Sequence, residues 1–588
     1  MATPYQAPLP LMRLALDQAA RVTRASEIDG YADTLSELAT AILESASRFA
    51  AEVLSPLNPI GDRIHSRCEP QGVVTPPGFP AAYRRFREDG WASLAAPVEY
   101  GGQGLPGLLA AAAGEMWAGA NLSFAMCPEL TVGALEAMRV HASRALRDEY
   151  MPRIASGEWT TSMCLTEPQS GSDLSTIRTR AQPDADAWRL FGRKIYISWG
   201  DHDLADNIVH FVLARTPDAP AGVRGISLFL VPKKLRDASG QWQTNDIHAV
   251  SVEQKMGIRA SPTCVMALGE QAGARGWLVG TLHEGLACMF TIMNHMRIGV
   301  GVHSLGLAER ALQLARHHAR ERLQGRDSAG AQRPIIEHAD VRRMLLMMKS
   351  LTHAARCLTY TAAATVDVAH LDPDESKRAA AARRADLLTP VLKAWVSDIG
   401  LEVASLGVQV HGGAGYIDDA EISQVYRDSR IGSIFEGTNY IQAQDLLGRK
   451  IIRDRGATLK EFLAEVSAAA RELPEAAAHP LAELRTGLLE ACASLRAATD
   501  DIVAQCATDR ERVGSIAYEY LNWLGVLAGG WQWAITAREA ITGSTHATPF
   551  LVETAAFYAA RVLPRYRMHE AAIKSASSVV TNVPSQEL

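Results

Sequence analysis

In "RDSRIGSIFEGTNYIQAQDLLGRK" (427–450), Glu436 follows the apolar pair Ile434 and Phe435 and precedes Gly437. A carboxylate in that company is either a solvated acid opening a helix, a position acids favour, or a group with a chemical task. Gly437 lets the backbone come close to a substrate. Beyond it, Tyr440, Gln444, Leu447 and Ile451 fall on one face of a helix that Thr438 can N-cap.

A second stretch, "GEWTTSMCLTEPQSGSDLSTIRTRA" (157–181), sets Thr166, Ser170, Gly171, Ser172, Asp173 and Ser175 beside a strand. Such a loop is either an ordinary turn or a set of donors for a flavin ring edge or a pyrophosphate. "EYGGQGLPG" formally satisfies GxGxxG through Gly102, Gly104 and Gly107. No strand leads into it, Pro106 sits inside it and no βαβ unit surrounds it, so it is read as a structural turn. Cysteines at 68, 127, 164, 264, 288, 357, 492 and 506 show neither CxxC nor His/Cys ligand spacing, which predicts no metal, no disulfide framework and reduced thiols.

These segments need elements to carry them. From Asp33, Leu35, Leu38, Ile42, Phe49 and Val53 keep near-helical spacing until Pro56, and helix resumes after "EPQGVVTPPGFP" to about residue 157. Between about 160 and 285, "WRLFGRKIYIS", "NIVHFVLAR", "GISLFLVP" and "PTCVMALG" read as strands. No ten-residue helical pattern separates them, so an antiparallel sheet or barrel is expected. Long helices return to about 455, with Val341, Met344, Leu345, Met348, Leu351 and Leu358 on one face. A last helical block has its stripe at Leu481, Leu484, Leu488, Cys492 and Leu495, with boundaries at Pro474, Pro480, Pro549 and Pro564. The expected class is α+β: a helical N-terminal domain (1–159), a central antiparallel β domain (160–285), a helical bundle carrying Glu436 (286–457) and an appended helical domain (458–588).

A chain of 588 residues exceeds one core. With 47% hydrophobic and 21% charged residues it reads as globular, and a net charge of -6 gives no reason to expect a nucleic-acid partner. Pro4, Pro8, Pro10 and Asp17 make the N-terminus a poor secretory signal, and "WLGVLAGGW" (523–531) is too short to span a bilayer. The expectation is a cytoplasmic protein with no integral membrane segment.

"LTEPQSGSD", "RKIYISWGDHD", "GIRASPTCV", "HEGLACMF", "QVHGGAGY" and "IFEGTNYIQ" stand in the order and approximate spacing of the acyl-CoA dehydrogenase family, which the chain resembles. Within it, "YQAP", "EYGGQGLP", "APAGVRGISLFLVPK", "ASPTCVMALG" and the C-terminal extension are most similar to the larger 3-methylmercaptopropionyl-CoA dehydrogenase type. The resemblance implies a four-helix bundle over 286–457, FAD as cofactor, an acyl-CoA substrate and Glu436 as the base that removes the α-proton, desolvation lifting it above the solvated pKa of about 4.3. The thioester oxygen would be held by the base's own N–H and a flavin ribityl hydroxyl.

By the same resemblance Met163, Leu165, Thr166, Gly171 and Ser172 line the isoalloxazine, with Ser172 also near CoA. Tyr196 and Ser198 take places usually held by Trp and Thr; a sheet-core aromatic is the other account of Tyr196. Asn294, Arg297 and Gly437 match substrate contacts, although more typical members carry an acid and a Lys in the segment of Asn294 and Arg297. Without the resemblance, Arg297 reads as a helix-surface or ion-pair residue. Arg322 matches an Arg that reaches the FAD diphosphate of a neighbouring subunit, its alternative being an exposed helix-terminal Arg. Gln409, Gly412, Gly413, Thr438 and Tyr440 match the remaining flavin contacts. The implied partners are an electron-transfer flavoprotein and a second copy in a homodimer. An acyl-CoA oxidase and a non-catalytic, DNA-associated alkylation-response flavoprotein are the alternatives.

Overall fold

The computed structural model describes residues 4–587 apart from 238, 327, 506–508, 545, 547, 549, 576–579 and 581; Cys506 and Pro549 lie outside the described residues. In chain order the helices are α1 (Leu9–Val22), α2 (Tyr31–Phe49), α3 (Asn58–Ile64), α4 (Phe79–Glu88), α5 (Gly107–His141) and α6 (Arg144–Ala155). After the strands come α7 (Gly285–Glu321), α8 (Ala339–Leu371), α9 (Glu375–His411), α10 (Glu421–Ser429) and α11 (Asn439–Gln444). The tail holds α12 (Ala457–Arg471), α13 (Ala482–Gln505), α14 (Arg510–Thr542), α15 (Phe550–Arg561) and α16 (Tyr566–Lys574). The chain folds as two compact units, one of residues 48–105 and 120–299, the other of residues 1–47, 106–119 and 300–588.

The first unit holds a hairpin of β1 (Arg67–Glu69) and β2 (Gly72–Val74) and an eight-stranded sheet. Its strands are β3 (Trp159–Cys164), β4 (Arg180–Asp184), β5 (Ala187–Ser198), β6 (Asn207–Arg215), β7 (Ile226–Pro232), β10 (Ile247–Val252), β11 (Thr263–Leu268) and β12 (Ala274–Val279), with β8 (Lys234–Arg236) and β9 (Trp242–Thr244) a separate hairpin. The order is β10-β11-β5-β12-β7-β6-β3, with β4 beside β5 and β6. Pairing is antiparallel as expected except where β6 runs parallel to β3, Trp159 opposite Asn207 through Cys164 opposite Val212, and meets β4 at one bridge. A parallel pair needs a long crossover; here the 165–179 loop with β4 and β5 supplies it, where the sequence reading sought a helix. β6 and β7 are buried almost throughout, with Val212, Phe229 and Val231 in the core.

Residues 99–105 of "EYGGQGLPG" belong to this unit and form a closed turn. Gly102 N donates to Pro97 O, Gly104 N to Ala96 O and Leu105 N to Leu94 O, each at 3.0 Å. The N–H groups of Tyr100 through Leu105 all bind carbonyls of residues 93–98, so none of them points outward to cradle a phosphate.

In the second unit α8 packs on α9 and α1, and α14 lies across α8, α9 and α11. A buried polar cluster ties the helices. Arg356 on α8 donates to Glu115 of α5 at 2.6 Å and Glu309 of α7 at 2.7 Å, and Tyr360 OH donates to the same Glu115 at 2.7 Å. Asp367 of α8 caps α5 from a distance, accepting from Gly107 N at 2.9 Å and Leu108 N at 3.0 Å. The stripe expected for α8 is inside from Met344 on, with Val341 half-buried, and that of α13 is inside together with Leu481 just before the helix. That of α2 is displaced: Tyr31, Leu35, Ala39, Leu43 and Ala46 are buried while Leu38 is exposed, because small alanines take core positions. "WLGVLAGGW" is an interior segment of α14, where Gly525 and Gly529 lie so close to Trp395 that a methyl would overlap its ring. Among the described residues no helix is long and apolar enough to cross a membrane.

Candidate active site

Glu436 lies between a 3-10 turn (Arg430–Ser433) and α11. It is half-buried and its φ is 56°; Gly437 follows at 81°. Left-handed backbone costs a non-glycine residue about 1–2 kcal/mol, so the surroundings must impose it. They do so from the helix side. Thr438 Oγ1 accepts from Ile441 N at 3.3 Å, the expected N-cap, and Gln442 Nε2 donates to Glu436 O at 3.2 Å. A Cβ on Gly437 would stand 2.9 Å from Gln442 Nε2, so that position requires glycine for both its φ and its space.

The face expected beyond the turn is corrected. Asn439, Gln442, Ala443, Leu446, Leu447 and Ile451 point inward, while Tyr440 and Gln444 are outside, with Gln444 Nε2 on Tyr440 OH at 2.9 Å. α11 passes into a π-helical segment, Asp445–Ile451, whose extra residue rotates Leu447 and Ile451 away from the face of Tyr440.

At one end of the same unit, His318 of α7 stacks on His411 of α9 with ring centroids 4.4 Å apart, and burial lowers both imidazole pKa values. That contact gathers Arg322, whose N donates to His318 O at 2.9 Å, with Gln409, Gly412 and Gly413. All four are exposed, and open space surrounds both glycines.

In the sheet unit, Ile195 N donates to Thr166 O at 2.9 Å, which brings the loop of Met163, Leu165 and Thr166 beside Tyr196. The β11/β5 register shifts at this point and Tyr196 takes φ 59°. The bulge turns its ring out of the sheet, 60% exposed, so it is no core aromatic. Gly171 and Ser172 are exposed at the loop tip, and Met163, Leu165, Thr166 and Ser198 are half-buried.

Sequence reasoning missed what holds this loop. Lys194, wholly buried in β5, donates to Leu165 O and Glu167 Oε1, both at 2.9 Å. Glu167 also accepts from Thr179 Oγ1 at 2.6 Å and Arg178 N at 2.6 Å. Burial pushes the Glu167 carboxyl up, but the Lys194 charge and these donors outweigh it and hold it at about 2. The two residues stand 27 positions apart with β4 between them, so no local pattern pairs them. Arg297 is corrected from the surface reading: it is 4% exposed, donates to Asn294 Oδ1 at 3.1 Å and lies 5.6 Å over the Phe290 ring.

The residues fit FAD. Thr166, Ser172 and Ser198 spend no hydroxyl on the described protein, and exposed Tyr196 offers an aromatic face to a planar ring. Exposed Arg322 has the guanidinium that suits a diphosphate.

Family models for the N-terminal, middle and C-terminal domains of acyl-CoA dehydrogenase match residues 36–158, 162–270 and 283–451, and one described as acetyl-CoA dehydrogenase C-terminal like matches 457–584. A 3-methylmercaptopropionyl-CoA dehydrogenase of Ruegeria pomeroyi is 43% identical over 543 residues, 91% of either chain. A butyryl-CoA dehydrogenase of Syntrophomonas wolfei is 35% identical over 78% of either chain. An acyl-CoA dehydrogenase from Bacillus anthracis, solved with FAD, superposes with a TM-score of 0.76 at 21% identity, covering 94% of this chain and 89% of that one.

Proposed function

The chain belongs to the acyl-CoA dehydrogenase family, an FAD-dependent oxidoreductase acting on acyl-CoA thioesters, and on that premise we propose that Glu436 is its base. The observation that carries the reading is the left-handed backbone at Glu436, a cost imposed by Gln442 and the Thr438 cap on a carboxylate beside Phe435. Glu436 takes the proton from the carbon next to the thioester. Its backbone N–H donates to the thioester oxygen, stabilising the charge that develops there and making the α-proton more acidic. FAD supplies the acceptor for the hydride that leaves the β-carbon, so one proton and one hydride depart and a trans-2 double bond forms. Arg297, buried beside Asn294, and Ser172 bind substrate in this reading. Met163, Leu165, Thr166, Gly171, Tyr196, Ser198, Gln409, Gly412, Gly413, Thr438 and Tyr440 hold the cofactor.

The 43% identical relative points to 3-methylmercaptopropionyl-CoA as a substrate. A thioether sulfur is close to a methylene in size and polarity, and apolar pockets separate such groups by only about 1–3 kcal/mol. Anaerobic addition of butanoyl-, hexanoyl-, octanoyl- and 3-methylmercaptopropionyl-CoA should therefore bleach the flavin with efficiencies within about a hundredfold of one another. Bleaching by long-chain or aryl thioesters alone would overturn the assignment. Electrons pass on to an electron-transfer flavoprotein; full turnover with oxygen as sole acceptor would replace that partner.

The exposed position of Arg322 supports a homodimer in which each Arg322 contacts the FAD diphosphate of the other subunit. Charged hydrogen bonds contribute about 1.5–3 kcal/mol, so Arg322→Ala should weaken FAD retention on gel filtration about tenfold or more. An active, FAD-replete monomer in sedimentation would exclude the arrangement. A cytoplasmic setting fits the buried free thiols of Cys127, Cys164 and Cys264; recovery of the enzyme in a periplasmic fraction would contradict it.

A further inference from the structure

Asn439, the first residue of α11, stands three positions after Glu436 and is 5% exposed. Its Oδ1 accepts from Lys393 Nζ at 2.9 Å. Its Nδ2 donates to Asp398 Oδ1 at 2.7 Å, to Ser397 Oγ at 3.0 Å and to Ala394 O at 3.1 Å. All four partners lie on α9, so this one amide fastens the start of α11 to the bundle. The second carboxylate oxygen of Asp398 accepts from Tyr518 OH at 2.7 Å. Tyr518 lies on α14, within the segment appended beyond residue 457. One turn earlier, Gly514 lies against Tyr440, where a Cβ would stand 2.9 Å from its hydroxyl. The appended helix therefore covers the helix that opens at the Glu436 turn, and it reaches Asn439 through a single carboxylate.

We propose that the appended domain serves the dehydrogenation itself: Tyr518 anchors Asp398, Asp398 anchors Asn439, and Asn439 holds the turn that aims Glu436. The three are positioning residues, and their role rests on Glu436 being the base. The strained backbone at Glu436 persists only where its surroundings over-determine it. Thr438 and Gln442 fix the turn to α11, but neither fixes α11 to anything else. Asn439 supplies that second constraint. A fully satisfied buried polar cluster specifies one arrangement where apolar packing would allow several. Burial pushes the Asp398 carboxyl up, and the hydrogen bonds from Tyr518 and Asn439 oppose it, so Asp398 depends on both donors. A base displaced by about 1 Å loses about a hundredfold in rate.

The test uses the FAD-loaded full chain and anaerobic flavin bleaching by butanoyl-CoA. Tyr518→Phe removes one hydroxyl from a part-exposed ring and is expected to slow bleaching at saturating substrate about three- to tenfold, with half-saturation and bound FAD unchanged. Asn439→Ala is expected to slow it about thirty- to hundredfold. The double variant should be no slower than Asn439→Ala alone, because both changes cut one chain of contacts. Rates at the wild-type value in Tyr518→Phe, with only thermal stability lowered, would reduce the network to a structural one, and this holds even if Asn439→Ala does not fold. Glu436→Gln run beside them separates the two claims. If it bleaches normally, the base assignment is wrong; if it is inert while Tyr518→Phe is normal, only the positioning role is lost.

Discussion

Glu436→Gln is expected to keep FAD and its visible spectrum, while substrate-driven bleaching under anaerobic stopped flow slows by about a hundred- to ten-thousandfold, the usual contribution of a positioned base. Glutamine has the shape of glutamate, and the contact that holds the turn reaches residue 436 through its backbone O, from Gln442 Nε2. The turn, the Thr438 cap and the left-handed backbone therefore survive the change, and what is lost is the proton acceptor. An unchanged half-saturation with a collapsed limiting rate would mark an interaction used in the transition state alone. Near wild-type bleaching would remove Glu436 from the mechanism.

The second large effect is expected at Lys194→Met. Lys194 is wholly buried, and without it the Glu167 carboxylate remains inside the sheet unit with its principal counter-charge gone and Leu165 O without its donor. Breaking a buried pair from one side costs about 3–5 kcal/mol, and removing both charges costs less. Urea unfolding of the holoenzyme should show that loss in Lys194→Met and a partial recovery in Lys194→Met/Glu167→Gln; loosening of Leu165 and Thr166 should also weaken FAD retention. The pH dependence has a definite sign. Glu167 is depressed from 4.5 to about 2 in the folded state, so its contribution is complete above about pH 4.5 and is lost as pH falls toward 2. Glu167→Gln should lack that acid-dependent component. Equal stability of wild type and Lys194→Met across this range would show that the pair holds nothing.

Elements whose pattern is local were legible before the fold. Strand β6, "NIVHFVLAR", and the α13 stripe of Leu484, Leu488, Cys492 and Leu495 lie where their periodicity put them. The Thr438 cap was readable because capping involves only the next three residues. What escaped depends on distant partners or on one extra residue. The π-helical segment after Gln444 rephases the helix without any change in composition. The bulge opposite Val265 turns Tyr196 outward although its strand neighbours are those of a core. The Asp367 cap of α5 spans 260 positions. Asn439, Glu167 and Lys194 are polar residues whose purpose appears only once α9 or the 165–179 loop lies beside them. The motif therefore exposed the candidate base and its cap, while what fastens that turn to the bundle was written in long-range contacts.

Transfer of the α-proton to Glu436 is the central step, and isotope exchange reads it most directly. The FAD-loaded enzyme is held anaerobically in deuterium oxide with butanoyl-CoA and no electron acceptor, and deuterium at the carbon next to the thioester is followed by mass spectrometry. The account predicts wash-in by the wild-type enzyme and none above background by Glu436→Gln carrying the same FAD. Wash-in by Glu436→Gln at the wild-type rate would contradict it.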